Sequence, residues 1–135
     1  MIAREIKFRA LAHDRQGNFE WFYYGPRENP QIPAKYLFVK VFDVMYTGLR
    51  DSKRTKEYPN GQEIYEGDIF PPGTRTRGEV QIVCYDLEQA KYKSVPLSLY
   101  NSNAGDGGWT GYSLNPYSEI IGNIYENPDL LEANT

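Results

Sequence analysis

Alternating apolar and polar positions open the chain. Over residues 6–10 the apolar side chains alternate with Lys7 and Arg9, so that they share one face of an extended segment. Residues 15–18 then form a polar stretch with a Gly-Asn pair, and the aromatic run 19–24 follows. This arrangement predicts two paired strands joined by a hairpin turn.

The next two segments differ sharply in character. Residues 25–33 contain three prolines, each of which lacks a backbone donor and restricts φ, so we predict a loop there. Residues 36–46 are apolar apart from Lys40 and Asp43. Such a run favours a long strand covered on both faces, and we expect a second subunit to supply part of that cover.

The second half of the chain repeats the strand pattern. A Pro-Pro-Gly break at 71–73 follows the apolar end of a strand predicted over 63–70, with a corner at Gly67 and Asp68. After Gly78 a new strand begins. Its apolar residues on one face are Val80, Ile82 and Cys84.

A further strand is predicted around residue 95. Val95, Leu97 and Leu99 repeat the period-two pattern, and Pro96 between them favours an edge position. The segment 86–93 that precedes this strand is compatible with either a short helix or a polar turn.

The end of the chain predicts one more strand and a short helix. Residues 119–125 are predominantly apolar and read as the strand. Asn127, Pro128 and Asp129 then offer an N-cap, a proline at the first helical position and an early acid.

Together these patterns predict an all-β fold of small barrel-like units, either SH3-like or OB-like, with a short C-terminal helix. The 135 residues include twelve tyrosines, a bias that suits pleated, half-buried surfaces. A chain of this length is one domain or two very small ones. We predict one chain with two small β subdomains, about residues 1–45 and 46–135.

Charge and cysteine content narrow the function classes. The net charge is −3, so nucleic-acid binding would need a local basic patch. Cys84 is the single cysteine, which excludes an intramolecular disulfide and a thiolate metal cluster. The sequence contains no apolar run of the roughly 18 residues that a membrane span needs. We therefore expect a cytoplasmic location, without membrane association.

Three blocks of sequence, residues 4–10, 46–70 and 118–131, resemble in this order the YopX family of bacteriophage and prophage proteins. The chain departs from the family pattern at 52–59, which resembles an insertion, and at 11–14, where the family usually has Trp-Asp. The resemblance implies a phage-encoded, β-rich, homo-oligomeric protein of two small barrel-like parts. It transfers no catalytic residue and implies no particular biochemical role.

Two sets of residues could in principle support catalysis. His13 and Asp14 are adjacent, and a base of this kind would need a nucleophile such as Cys84. We interpret the pair as part of a turn and Cys84 as core packing. Glu66 and Asp68 would lie about 7 Å apart on one strand face, the separation of an inverting hydrolase.

The non-catalytic interpretation is that Glu66 and Asp68 lie in a solvated turn, because Gly67 separates them. Adding Glu63 would create an oxygen site for a divalent ion, although the spacing is not that of a calcium hand. The Gly-rich segment 105–111, part of a mobile loop predicted over 101–111, lacks the Gly-Lys-Ser/Thr ending of a phosphate loop, so a hairpin loop is the better interpretation. We expect no catalytic residues, no metal and no cofactor.

The distribution of basic residues gives a stronger indication of a binding site than the acidic or Gly-rich segments do. Cations are concentrated in two loops, at 50–56 and 75–77, with tyrosines nearby as stacking platforms. The candidate residues for binding nucleic acid or another partner are Arg50, Lys53, Arg54, Lys56, Tyr58, Tyr65, Arg75 and Arg77. Exposed basic loops without a ligand are nevertheless the commoner case.

The leading hypothesis is a non-enzymatic phage accessory protein that acts as a homo-oligomeric binding module. A Tyr-rich surface, the very apolar segment 36–46 and the lack of a coherent active site favour a host or phage protein as its partner. The alternative is a weak nucleic-acid binder that uses the two basic loops. An enzyme built on carboxylates is the third hypothesis.

Overall fold

The computed structural model describes residues 5–36, 42–73, 76–103, 108–114 and 118–132. Its contacts divide the chain into two compact units, Met1–Gly48 (unit 1) and Leu49–Thr135 (unit 2). Both units consist mainly of antiparallel β-sheet, which confirms the predicted all-β, barrel-like class.

Unit 1 is built on a hairpin. Strand β1 (Phe8–His13) pairs antiparallel with β2 (Phe19–Tyr24), with His13 opposite Phe19 and Phe8 opposite Tyr24. The predicted turn between them is confirmed. Asp14 Oδ1 accepts the backbone N–H groups of Gln16 and Asn18, both at 2.9 Å. Gly17 has φ +88°, a value that glycine adopts without a steric penalty.

On its other side, β1 pairs with β3 (Phe42–Arg50), so β2 is the terminal strand of this sheet. The prediction of one strand over 36–46 was wrong in its bounds. Tyr36 ends a 3-10 helix (Ala34–Tyr36), and 37–41 lie outside the described residues. Within β3, Val44 is buried while Asp43 is exposed, so this part of the strand is not covered on both faces.

Unit 2 contains a five-stranded sheet in the order β8-β7-β6-β5-β9. The strands are β5 (Asp68–Phe70), β6 (Gln81–Asp86), β7 (Lys91–Pro96), β8 (Tyr112–Ser113) and β9 (Gly122–Asn123). A short strand, β4 (Glu63–Tyr65), precedes β5 and belongs to the same sheet as β3. The turn between β4 and β5 falls at Gly67, where the sequence predicts a corner.

Strand β6 carries the core of unit 2 on both of its faces. Ile82 and Cys84 pack with Ile69 and Val95 in one cluster, as the alternating pattern predicts. Val83, which points the other way, packs with Ile64 and Phe70 in a second cluster. A strand that is covered on both faces is a rigid support for the side chains on the neighbouring segments.

Three predictions about the second half were wrong. Leu97 and Leu99 lie in the helix α1 (Leu97–Asn103), not in a strand. The helix begins where Ser98 donates from its N–H and its hydroxyl to the Glu79 carboxylate, each at 3.0 Å, a tertiary contact that overrides the period-two pattern. Pro96 is not on an edge strand, because β7 lies between β6 and β8.

The third error concerns the strand predicted over 119–125, because only the two residues of β9 are in a strand there. A 3-10 helix (Pro128–Leu131) ends this region, with Pro128 at its start as predicted. Asn127 does not cap that helix with its side chain, because its Oδ1 accepts the Asn123 N–H at 3.0 Å instead. The 86–93 ambiguity is resolved as a turn at 87–90 between β6 and β7. No helix in the described ranges is long and apolar enough to cross a membrane.

Candidate binding site

A cleft of about 350 Å³ lies in unit 2 beside β6. This volume falls at the small end of the range of ligand sites in proteins, about 300–1,000 Å³. We call it the aromatic cleft. The described residues that line it are Glu66, Gly67, Ile82, Val83, Cys84, Tyr85, Leu87, Tyr100, Trp109, Ile124 and Tyr125.

One side of the cleft depends on Gly67, which has φ +85° and is buried. Its N–H donates to Val83 O at 2.8 Å, and its carbonyl accepts the Ile124 N–H at 2.9 Å. A Cβ at this position would lie 2.9 Å from a ring carbon of Tyr125. Only glycine therefore allows the β4–β5 turn and the segment after β9 to approach so closely, which brings Tyr125 to the cleft.

An Asn-centred turn fixes the backbone at Tyr125. Asn123 Oδ1 accepts the N–H of Tyr125 at 3.1 Å and that of Glu126 at 2.8 Å, and Asn123 Nδ2 donates to Glu126 Oε1 at 2.9 Å. Asn123 itself is buried. The tyrosine is thus held by the sheet through β9.

Another part of the lining is a pair of stacked rings from α1 and the segment before β8. Tyr100 and Trp109 have ring centroids 5.3 Å apart and an interplanar angle of 7°. Offset stacking of this kind is a favourable aromatic geometry. Both side chains are half-buried, so the stack presents ring surface to the cleft.

A buried ion pair anchors the backbone of Trp109. Lys93 Nζ lies 2.7 Å from Asp86 Oδ2 and donates to Trp109 O at 2.6 Å, while the Trp109 N–H donates to Asp86 Oδ2 at 2.9 Å. The hydrogen bond from Lys93 and that from the Trp109 N–H hold the pKa of Asp86 far below its ordinary value of 3.8. These contacts use only the backbone of Trp109, which leaves its indole free to face the cleft.

Glu66 is the one described acid in the cleft. Burial raises its pKa from the ordinary 4.5, although a hydrogen bond with Tyr92 opposes that effect. Among the residues that the structure describes, no cation forms an ion pair with Glu66. The Tyr92 ring in turn meets Tyr85 across β6 and β7, with centroids 4.9 Å apart.

Cys84 lies against the same acid. Burial, with a smaller contribution from the charge of Glu66, raises the pKa of its thiol to about 12. The thiol therefore stays protonated near neutral pH, and a protonated thiol is a poor nucleophile. Burial also raises the pKa of Tyr100. The chemistry of the cleft is accordingly that of a low-polarity surface with one poorly solvated carboxyl group.

The basic residues predicted as a site have mostly structural contacts. Arg50 bonds Gly61 O at 3.3 Å and lies 3.6 Å from Glu63 Oε2. Arg54 donates to the carbonyls of Asp51 and Lys53, at 3.1 and 2.7 Å. These two arginines hold the 50–63 loop together. Their guanidinium groups are therefore committed, at least in part, to the protein itself.

The remaining predicted residues are dispersed. The Lys53 ammonium lies over the Tyr58 ring at 5.3 Å, and Lys56 and Arg77 are exposed. Arg75 lies outside the described residues. The prediction that Tyr65 is a stacking platform was wrong, because it is 1% exposed and its hydroxyl donates to Glu63 Oε1 at 3.0 Å.

The 52–59 segment, predicted as an insertion, is an ordered loop that Asp51 organises. The Asp51 carboxylate is 1% exposed and accepts four hydrogen bonds from other parts of unit 2. The donors are the backbone N–H groups of Lys53, Gln62 and Ile120 and the side-chain amide of Gln62. Further along, Thr55 and Tyr58 are joined by two hydrogen bonds.

The three acids considered as a catalytic or metal site do not converge. Asp68 is buried and accepts the Tyr65 N–H at 2.8 Å, while Glu63 pairs with Arg50, and only Glu66 lines the cleft. Within the described ranges, no cluster of three potential ligands is arranged to hold a metal ion. Of the loop predicted over 101–111, residues 101–103 belong to α1 instead, and 104–107 lie outside the described residues.

Asp14 belongs to the hairpin turn, as the turn interpretation predicts, whereas His13 is the last residue of β1. Asp14 holds the hairpin turn, and the His13 ring packs against Phe19 with centroids 5.4 Å apart. The expectation of many exposed tyrosines needs correction as well. Of the tyrosines that the structure describes, Tyr23 alone is largely exposed, at 56%, and the others are buried or half-buried.

Sequence reasoning missed the cleft itself. Its aromatic side chains come from β6, α1, the segment before β8 and the segment after β9, which are far apart along the chain. The lone signals were Trp109 within a polar, Gly-rich stretch and Leu87, which is 71% exposed in a turn. Neither signal indicates a common site without the topology that brings the segments together.

The fold and the cleft define a small, β-rich protein with an aromatic surface site and no assembled catalytic set among its described residues. The sequence model of the family described as YopX protein matches residues 5–132. The chain therefore belongs to the YopX family, which is associated with phages and prophages. Comparisons with curated proteins and with solved structures return no match.

Proposed function

We propose that this chain is a non-enzymatic phage accessory protein, an oligomeric binding module in the bacterial cytoplasm that recognises a partner protein through the aromatic cleft. The observation that carries this proposal is the concave surface built around Tyr100 and Trp109. Tyrosine and tryptophan in concave, half-buried positions are the residues that dominate binding energy at protein interfaces.

The contacts that hold Trp109 in place favour a binding role for the cleft over a purely structural one. The Trp109 backbone is held by two buried charged side chains, Asp86 and Lys93. Fixing a large side chain before the partner arrives reduces the entropy lost on association. At the rim, Leu87 adds exposed apolar surface next to this preorganised wall.

Two features of the cleft favour a non-enzymatic role. Its described lining contains one carboxyl group, Glu66, whereas glycoside hydrolysis uses a pair. The Cys84 thiol has a pKa of about 12 and would not supply a thiolate nucleophile at neutral pH. The chemistry present suits recognition better than covalent catalysis.

Self-association is supported by strand β2 in unit 1. This terminal strand carries Phe19 and Tyr23, which are 43% and 56% exposed, on the same face by strand alternation. Trp21 lies between them, with the Arg9 guanidinium carbon 4.0 Å from its ring centroid. Exposed aromatic rings on a terminal strand are suited to pairing with a second copy.

Sedimentation of the wild-type protein and of Tyr23→Lys tests this part. We expect the wild type to exceed the mass of a monomer and the variant to shift toward a monomer. A wild-type protein that is monomeric at all accessible concentrations would remove self-association from the proposal.

Nucleic acid is the alternative partner. The exposed cations Lys56 and Arg77, together with Lys53, are the residues that would carry it. Phosphate contacts release counterions, so such binding would weaken steeply with salt. Because Arg50 and Arg54 bond within the protein, the basic loops have less free charge than their composition indicates.

The experiment is an affinity capture of tagged protein from phage-infected host lysate, divided into nuclease-treated and untreated halves. Trp109→Ala removes the central ring but leaves the anchored backbone, and Ile121→Ala removes an exposed apolar side chain that does not line the cleft. We expect a protein partner that survives nuclease and is retained by Ile121→Ala but lost by Trp109→Ala. Recovery only without nuclease, or equal recovery by all variants, would contradict a protein-binding cleft.

A further inference from the structure

We propose that the aromatic cleft accepts an arginine side chain of the partner protein, with Glu66 as its counter-ion. The inference rests on the proposed function, because it specifies the chemistry of the partner at the same site. Three features of the described residues carry it: the charge of the lining, the shape of the walls and the size of the cleft.

The charge of the lining is the first feature. Glu66 is the one charged side chain among the described lining residues, and no described cation pairs with it. Glu66 is half-buried, and a partly desolvated carboxylate without a counter-ion is unfavourable, so an incoming cation would compensate that loss. The complementary occupant is therefore positively charged.

The walls distinguish a guanidinium group from a simple ammonium. Tyr100 and Trp109 form a stack of nearly parallel rings, with 7° between their planes, and Tyr85 and Tyr125 contribute further aromatic surface. A planar guanidinium stacks on such rings and still offers two parallel N–H donors to a carboxylate, whereas an ammonium is a point charge. Aromatic walls with one acid match the first of these two geometries.

The size of the cleft limits the occupant to one side chain. At about 350 Å³ it is close to the lower bound for small-molecule sites. Leu87, which is 71% exposed at the edge, would cover the aliphatic part of the arginine or its neighbours. One anchoring side chain surrounded by apolar contact is a common arrangement at protein interfaces.

The test uses the intact protein carrying Trp21→Phe, so that Trp109 is the remaining indole of the two in the sequence. Its fluorescence is titrated with N-acetylarginine methylamide and, separately, with N-acetylcitrulline methylamide, a neutral compound of nearly the same shape. We expect the arginine derivative to bind with a dissociation constant of about 1 mM, the scale for a ligand this small, and citrulline about tenfold more weakly.

Glu66→Gln provides the second arm, and Glu57→Gln, which changes an exposed acid in the 52–59 loop, is its matched control. We expect Glu66→Gln to weaken arginine binding about tenfold and Glu57→Gln to leave it unchanged. Equal binding of arginine and citrulline, equal effects of the two variants, or no saturable signal would overturn the inference.

The two proposals fail in different ways. If Trp109→Ala loses its captured partner while arginine and citrulline bind alike, the protein-binding cleft stands and the arginine assignment is wrong. If Trp109→Ala captures the same proteins as the wild type, the proposed function itself is wrong, whatever the small probe does.

Discussion

Lys93 Nζ and Asp86 Oδ2 lie 2.7 Å apart, and both residues are almost fully buried. Each also bonds the backbone of Trp109, so one ion pair connects the β6–β7 hairpin to the tip of the aromatic stack. The pair therefore positions a residue of the cleft without lining the cleft itself.

Replacing Lys93 with Met should disrupt this connection. The Asp86 carboxylate would remain buried without its cation, and breaking a buried pair from one side is costly. We expect the thermal midpoint to fall by roughly 10 °C and the near-ultraviolet circular dichroism of the stacked rings to weaken. Lys91→Met, an exposed lysine on the same strand, is the control. A variant with unchanged melting and dichroism would show that the pair does not hold Trp109.

The same pair predicts an acid sensitivity. A carboxyl group whose folded-state pKa lies below its unfolded value adds stability that is complete above the unfolded value and is lost as the pH falls toward the folded one. The pKa of Asp86 lies below the ordinary 3.8, so this stability should disappear progressively below about pH 4. Asp86→Asn should flatten that part of the profile in denaturant titrations, and an unchanged slope would argue against the pair.

Glu66 predicts the opposite pH dependence. Its folded-state pKa is raised above 4.5, so its contribution favours folding most at low pH and declines as the pH rises through the folded value. Glu66→Gln should therefore be more stable than the wild type near pH 8 and lose this advantage below pH 4.5. Urea unfolding of both proteins across this range measures the difference. A constant gap would mean that Glu66 is well solvated.

Asp51→Asn tests the anchor of the 50–63 loop. All four partners of the Asp51 carboxylate are donors, two on each oxygen, so two of them would face the amide N–H₂ group of asparagine. We expect a loss of roughly 3 kcal/mol in the free energy of unfolding, since hydrogen bonds to a charged acceptor are lost together with burial. Glu57→Gln, in the exposed loop, should cost less than about 0.5 kcal/mol. Equal effects in urea titrations would contradict the anchoring role.

Cys84 should be nearly inert. With a pKa of about 12 against an ordinary 9.0, its thiolate fraction near pH 8 is about a thousandfold lower than that of a free thiol. Labelling by a disulfide reagent should be slower than that of a model thiol by at least this factor and should become fast on unfolding. Rapid labelling of the folded protein would remove one of the arguments against an enzymatic role.

Local features of the fold could be predicted from the sequence. The β1–β2 hairpin follows from alternation and a Gly-Asn turn, and the break before β6 follows from Pro71 and Pro72, because these effects act within a few residues. Helix α1 could not be predicted in this way. Its start depends on Glu79, which is nineteen positions before Ser98 and meets it only in the folded protein.

The candidate site was even harder to predict from the sequence than helix α1, because it depends entirely on tertiary structure. The basic loops are evident from sequence because charge is, yet the exposed side chains of Arg50 and Arg54 donate to backbone carbonyls of their own loop. The cleft is built from rings that come together only through the sheet order, and single tyrosines carry no distinguishing spacing. The prediction that Tyr65 is exposed failed for a related reason, since the exposure of a side chain depends on tertiary packing.

The most direct test of the central claim measures the affinity of the purified partner for the wild type, Trp109→Ala and Ile121→Ala by calorimetry, after each variant is shown to fold. The account predicts that Trp109→Ala binds at least roughly 30-fold more weakly, the effect of a residue worth about 2 kcal/mol at an interface, while Ile121→Ala, which changes an exposed side chain outside the cleft, binds as the wild type does. Equal affinities for wild type and Trp109→Ala would contradict the claim that the aromatic cleft is the binding surface.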